Sequence, residues 1–271
     1  MIKLNGFEVI FKKFPNGEIL IDGDKMLHIT KHDKNNVVFK YENDSDLIKL
    51  MFVKKHLDEL VEKHTALELK IVYMPYSRMD RIEGTSVFTL KYVGEFINQL
   101  KFDSVEIVEP HSGVCMALID RSKATYPTVD IVLELIKNIK FEKDNDYLLF
   151  PDTGAAKRYA NMFKGYRHLV GHKVRDFETG KITRLDILGD TGNNFKTIIV
   201  DDLCSGGYTF YLAAQKLEEM NCNEVHLVTA HCEEKIYDGL LLDQKIVKSI
   251  NTTNSIISES KYKKINVLPI I

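Results

Sequence analysis

Ile198-Ile199-Val200-Asp201-Asp202-Leu203-Cys204-Ser205-Gly206-Gly207-Tyr208-Thr209 is the stretch whose reading decides the fold of this chain. The apolar or β-branched run Thr197 to Val200 has the pattern of a strand buried in a parallel sheet. Two adjacent carboxylates follow at its carboxyl end, then a turn of small residues. Beyond the turn Phe210, Ala213, Ala214, Leu217 and Met220 recur on one helical face and predict a helix. Open α/β sheets bind ligands outside the carboxyl ends of their strands, and backbone N–H groups at a helix start attract phosphate. Carboxylates at that end suit sugar hydroxyls or a hydrated metal ion. A sugar phosphate satisfies both halves of the stretch. An acidic pair alone is often a solvated loop, and Gly-Gly often only a turn, so the weight lies on their order.

A chain of 271 residues holds one large or two ordinary domains. Its 44% hydrophobic and 28% charged content are those of a soluble globular protein. The net charge of −2 gives no electrostatic reason to expect nucleic acid or an anionic membrane as partner. Cys115, Cys204, Cys222 and Cys232 show neither C-x-x-C pairing nor zinc spacing, which predicts free thiols in a reducing cytosol. The first residues lack a signal-peptide core, and no run approaches the ~18 apolar residues of a membrane helix. The expectation is a cytoplasmic protein.

Outward from the opening stretch, strands and helices alternate. Residues 1–40 read as short strands and turns, with Pro15-Asn16-Gly17 and Asp22-Gly23-Asp24 as turn signals. Helices are predicted over 45–64, 86–100, 129–138 and 154–163. Strands are predicted at Leu69 to Met74, Val105 to Val108, Tyr147 to Phe150, 168–174, Val225 to Thr229 and 265–270. This alternation implies βαβ units and parallel sheets. Two α/β halves follow, residues 1–138 and 139–271, with Asp144-Asn145-Asp146 at the seam and a last strand able to return to the first half.

The acidic loop resembles the PRPP-binding signature of type I phosphoribosyltransferases and PRPP synthetases, Asp-Asp-x-x-Asp-Thr-Gly-Gly-Thr. The chain keeps Asp201, Asp202, Gly207 and Thr209, and carries Ser205, Gly206 and Tyr208 where Asp, Thr and Gly are usual. Five further motifs fall in the order and rough spacing of PRPP synthetases. They are Phe14-Pro15-Asn16-Gly17-Glu18, Pro75-Tyr76-Ser77-Arg78-Met79-Asp80-Arg81, Glu109-Pro110-His111-Ser112, Pro151-Asp152-Thr153-Gly154 and Lys173-Val174-Arg175. Each is weak alone. Together they cover most of the chain and exclude a simple phosphoribosyltransferase, which has one such half. The resemblance implies two type I phosphoribosyltransferase-like domains, each a mainly parallel sheet flanked by helices.

No G-x-x-x-x-G-K-[ST] occurs, so a P-loop would not hold ATP. Arg78 and Phe14 offer a flat cation and a ring for stacking adenine. The resemblance implies an ATP site of Arg78, Asp80 and Arg81, with Phe14, Asn16 and Glu18 lent by a neighbouring subunit, hence at least a dimer. It further implies that His111 and Asp152 hold Mg²⁺ with the ATP phosphates. Lys173 and Arg175, on a closing loop continued by Asp176-Phe177-Glu178-Thr179-Gly180, would stabilise the transition state. Asp201, Asp202, Ser205, Gly206, Gly207, Tyr208 and Thr209 would hold the ribose and its phosphate. The flanking helices of the family are expected to be absent, so its usual hexamer is not assumed.

The implied reaction moves the β,γ-diphosphoryl group of ATP onto the anomeric hydroxyl of a ribose 5-phosphate-type acceptor, giving PRPP and AMP. Two acceptors stay open. Ser205 removes a carboxylate and Tyr208 adds a ring, which suits a ribose extended through a diphosphate, such as ADP-ribose in NAD rebuilding. Ribose 5-phosphate with a repacked loop is the conservative choice. A non-catalytic, PRPP-synthetase-like regulatory subunit is the rival from another class. Retention of Lys173, Arg175, His111 and Asp152 favours the enzyme.

Overall fold

The structure is a computed structural model describing residues 1–175 and 182–271, with Arg175 and Ile182 described through their backbone. The chain divides into two units, Met1–Thr125 and Tyr126–Ile270.

The first unit opens with β1 (Ile2–Leu4), β2 (Phe7–Glu8) and the hairpin strands β3 (Phe11–Lys13) and β4 (Ile19–Ile21). Helix α1 (Gly23–Ile29) follows, where the sequence reads as a turn: Asp22 caps it, its Oδ1 accepting the Lys25 amide at 3.1 Å. Then come β5 (Lys34–Phe39), α2 (Ser45–Leu60), β6 (Ala66–Ile71), α3 (Thr89–Gln99), β7 (Ser104–Val108), α4 (Gly113–Leu118) and β8 (Ser122–Thr125). The sheet order is β2-β1-β5-β6-β7-β8, parallel from β5 to β8. Leu67, Leu69 and Ile71 of β6 enter the apolar core with Leu50, Val53 and Ile97 from the helices. Glu68 and Lys70 alternate with them and join ion pairs with Lys34 and Glu106. That alternation starts the strand at Ala66 instead of Leu69.

The second unit contains α5 (Pro127–Asn138), β9 (Tyr147–Phe150), α6 (Thr153–Tyr159), β10 (His168–Arg175), β11 (Ile182–Leu188), β12 (Phe195–Cys204), α7 (Tyr208–Glu219), β13 (Cys222–Cys232), β14 (Val247–Thr253) and β15 (Ile265–Leu268). Its sheet order is β11-β10-β9-β12-β13-β14-β15, with only the β10–β11 pair antiparallel. Both faces of the central strands are buried: Leu149, Ile199 and Leu227 pack with α7, whereas Leu148, Ile198, Val200 and Val228 share a cluster with Val132 of α5 and Tyr159 of α6.

Three expectations need correction. The division lies at 125/126, because the apolar face of α5 packs in the second unit's core. Asp144-Asn145-Asp146 is therefore no seam. Asp146 is buried, and its oxygens accept the Glu142 and Lys196 amides, tying that loop to β12. The last strand, β15, pairs with β14 in the second sheet. Among the described residues, no helix is long and apolar enough to cross a membrane.

Candidate functional site

The candidate site of the second unit is built at neighbouring strand ends. Apolar residues carry β12 into the core, but the strand continues past Val200 to Cys204, its ladder with β13 holding through Asp201↔Thr229 and Cys204↔Cys232. Asp201 and Asp202 therefore lie within the last turns of the strand, a correction to their expected place after it. The Arg158 side chain from α6 meets both. Its Nη1 donates to Asp202 Oδ1 at 2.7 Å and lies 3.7 Å from Asp201 Oδ1, with all three side chains at most 13% exposed.

Burial, then the charges of Asp202 and Asp152, push the Asp201 carboxyl well above the usual carboxylate range, with Arg158 pulling the other way. Burial disfavours the Arg158 cation, but Asp202, then Tyr159 and Asp201, outweigh that and raise its pKa. Arg158 is thus the counter-ion of the acidic pair.

Beside them, Asp152 caps α6, its Oδ1 accepting the Ala155 amide at 2.9 Å. Its Oδ2 accepts Lys173 Nζ of β10 at 2.6 Å. Burial opposes the Asp152 carboxylate, yet the Lys173 and Ala155 donors prevail and hold its pKa below the ordinary value. The approach of β9 and β10 permits this pair. A Cβ on Gly171 would stand 2.6 Å from the Pro151 carbonyl oxygen, so only glycine lets the strand ends come so near. The Arg175 side chain and the loop expected over 176–180 lie outside the described residues.

After β12 the chain turns through Ser205 and Gly206 into Gly207, whose φ of +75° is left-handed and whose added Cβ would meet Leu241 at 3.2 Å. Helix α7 starts there, so the anion-attracting N–H groups lie at the loop. Tyr208 is 49% exposed and stacks on Tyr211, ring centroids 5.9 Å apart. Thr209 is half-buried beside it. Ser205 donates its hydroxyl proton to Glu233, which follows β13.

In the first unit, Phe14, Asn16 and Glu18 form the exposed turn between β3 and β4; the Phe14 amide donates to the Glu18 carbonyl, and Asn16 Oδ1 accepts the Glu18 amide. Arg78, Asp80 and Arg81 follow β6. Arg78 is exposed, Asp80 is buried, and Arg81 Nε donates to Glu83 at 2.7 Å. Tyr76, at φ +62°, anchors that segment by donating its hydroxyl to Asp44. His111 is half-buried between β7 and α4. The structure thus joins Lys173 to Asp152 and sets Asp201 beside Asp202, whereas the unit 1 candidates occupy three separate loops. Arg158, Glu233 and Asp44 escaped the sequence reading. For Arg158 a signal existed: it follows Asp152 on the helix that Asp152 caps.

Two units of this kind, mainly parallel sheets with polar groups at their strand ends, define the type I phosphoribosyltransferase fold in duplicate. The fold is similar to that of phosphoribosylpyrophosphate synthetase from Mycobacterium smegmatis, with a TM-score of 0.76 at 17% identity, covering 97% of this chain and 86% of that one. Ribose-phosphate pyrophosphokinase from Sulfurisphaera tokodaii is 26% identical over 268 residues, 94% of this chain and 89% of its own. The protein of that name from Sulfolobus acidocaldarius is 29% identical over 221 residues, 79% of this chain and 72% of its own. No family model matches the chain. Over most of its length the chain is thus similar to proteins named ribose-phosphate pyrophosphokinase.

Proposed function

We propose that the protein is a ribose-phosphate diphosphokinase, transferring the β,γ-diphosphoryl group of Mg²⁺·ATP to the anomeric hydroxyl of a ribose 5-phosphate-type acceptor. The observation that carries this reading is the group of strand-end pairs, Lys173–Asp152 and Arg158–Asp202 with Asp201, beside the glycine turn that opens α7. As the hydroxyl oxygen bonds to the β-phosphorus, the bond from that phosphorus to the α,β-bridging oxygen breaks and AMP departs. Such a transfer needs positioning and charge neutralisation more than covalent help. Asp201 and Asp202 orient the ribose hydroxyls, and the α7 amides receive the 5-phosphate. Lys173 and Arg175 neutralise the moving phosphates. Arg78 and Phe14 stack the adenine.

For Mg²⁺, the donor chemistry fits. Asp152 is an oxygen ligand held ionised, and Mg²⁺ takes one or two carboxylates plus substrate phosphates more readily than an all-protein cage. Among the described residues no cluster of three or more His, Cys, Asp or Glu could hold a metal. Asp152 would hold the ion, which when bound would supply positive charge to the phosphates. The half-exposed Phe14 turn supports a homo-oligomer, at least a dimer, in which it serves a neighbour's nucleotide. Four free, buried cysteines support a cytoplasmic setting.

A second acceptor is favoured by the exposed Tyr208–Tyr211 stack and by Lys235, whose Cγ would lie 3.6 Å from a Cβ on Gly206. Ring and cation beside the loop suit an acceptor that continues past the 5-phosphate, such as ADP-ribose, whose 1-diphosphate would serve NAD rebuilding. The test is product analysis with ATP and each acceptor. AMP with a 1-diphosphate is expected, and ADP would mean simple kinase chemistry. A kcat/KM preference for ribose 5-phosphate above about tenfold, ~1.4 kcal/mol, rejects the extended acceptor. Lys173→Ala should lower kcat by about 10²–10³ with little change in KM.

A further inference from the structure

One carboxylate beside the phosphate loop has no part in the reaction above. The ladder of β12 and β13 reaches Cys204↔Cys232, and the next residues add another rung. The Glu233 amide donates to the Cys204 carbonyl at 2.8 Å, and Ser205 donates its hydroxyl to Glu233 Oε2. Position 205 is where the resembled signature carries an acid. In this chain the acid arrives from the neighbouring strand instead, so the loop has not lost its negative charge. This corrects the expectation that Ser205 relieves repulsion there. A serine has one hydroxyl proton. While Glu233 takes it, an incoming phosphate cannot, and that phosphate meets backbone N–H groups with a carboxylate close behind them. The stem of Lys235 lies against the loop at Gly206, its Cγ 3.6 Å from where a Cβ would stand.

We propose that Glu233 is a specificity-determining residue that selects the acceptor by the charge on its phosphate. A terminal phosphate monoester carries about −1.5 to −2 at pH 7. A phosphate inside a diphosphate bridge has one ionisable oxygen fewer and carries about −1. Repulsion from a fixed carboxylate grows with that charge, so Glu233 weakens terminal monophosphates more than bridged ones. The carboxylate thus acts by rejecting the wrong acceptor, as much specificity does. The inference rests on the reading of this loop as the acceptor phosphate site.

The experiment measures Kd by calorimetry and kcat/KM by AMP release, for ribose 5-phosphate and ADP-ribose, in the wild type, Glu233→Gln and Ser205→Ala. Glu233→Gln should raise the ratio of ribose 5-phosphate to ADP-ribose affinity about tenfold, the isosteric amide keeping the brace without the charge. Ser205→Ala leaves the carboxylate without its hydroxyl donor and should move the ratio the other way, about threefold. Opposite shifts establish charge selection. If both variants move the ratio alike, or neither moves it while both ligands still bind, Glu233 only braces the loop and the proposal is overturned. If neither ligand binds the wild type, the loop is not the acceptor site, and the inference falls with that reading.

Discussion

Strands β6 and β12 stand in the middle of their sheets and both run into candidate sites, yet they are built differently. β6 alternates, its apolar residues in the core and Glu68 and Lys70 in ion pairs on the other face, whereas β12 is buried on both faces. The loops continue the contrast. After β6, Arg78 and Arg81 are exposed and held locally by Tyr76–Asp44 and Arg81–Glu83. At the end of β12, Asp201 and Asp202 are enclosed with Arg158, and Ser205 is braced by Glu233. The charged groups at the end of β12 are therefore enclosed and paired inside one unit, while Arg78 and Arg81 after β6 stay exposed to solvent. Preorganised charge is costly to disturb and exposed charge is not. Mutation should separate the two.

The largest effect is expected at Arg158. Arg158→Ala leaves two enclosed carboxylates without their cation and should cost about 3 kcal/mol of unfolding free energy, read from urea denaturation. A loss below about 1 kcal/mol would show that the acidic end of β12 is no more preorganised than the loop after β6.

Arg78→Ala is the matching cut on the other side. Tm should be unchanged, and KM for ATP should rise about tenfold, the scale of a lost cation–π contact of ~1–2 kcal/mol. A fall in Tm comparable with that of Arg158→Ala would erase the contrast.

The smallest effect is a gain. Because the Asp201 pKa is raised in the fold, by burial first and then by Asp202 and Asp152, the folded state prefers the protonated acid. Ionised Asp201 destabilises the fold above that pKa, and the penalty disappears as pH falls below the ordinary carboxylate value of about 3.9. Asp201→Asn should therefore raise Tm slightly at pH 7, the difference vanishing below about pH 4, while acceptor use is lost. A lower Tm at pH 7 would place Asp201 among the stabilising groups.

How much of this could be read from the residues depended on how local the cause was. The run before Asp201 and the helical stripe after Thr209 are periodic, and the structure keeps both. Helix α1 spans too few residues to show a period, and its sign, Asp22 as a cap, looks like a turn. The unit boundary was misplaced because an acidic, amide-rich triplet suggests a linker unless the burial of Asp146 is known. Arg158 meets Asp202 across 44 positions and Ser205 meets Glu233 across 28, so neither pairing has a local pattern. The apolar centres of strands were legible; where they end, and the counter-ions that converge there, were not.

Gly171 carries a consequence for variation in this chain. It touches no ligand in the proposed reaction and bears no functional group, yet the gap between β9 and β10 at Pro151 has no room for one more carbon. A methyl group there would act as a wedge, spreading two strand ends and drawing the Lys173 amine from the Asp152 carboxylate without altering either residue. The distance between the Asp152 carboxylate and the Lys173 amine is thus governed by an atom that is absent, at a position with no functional group of its own.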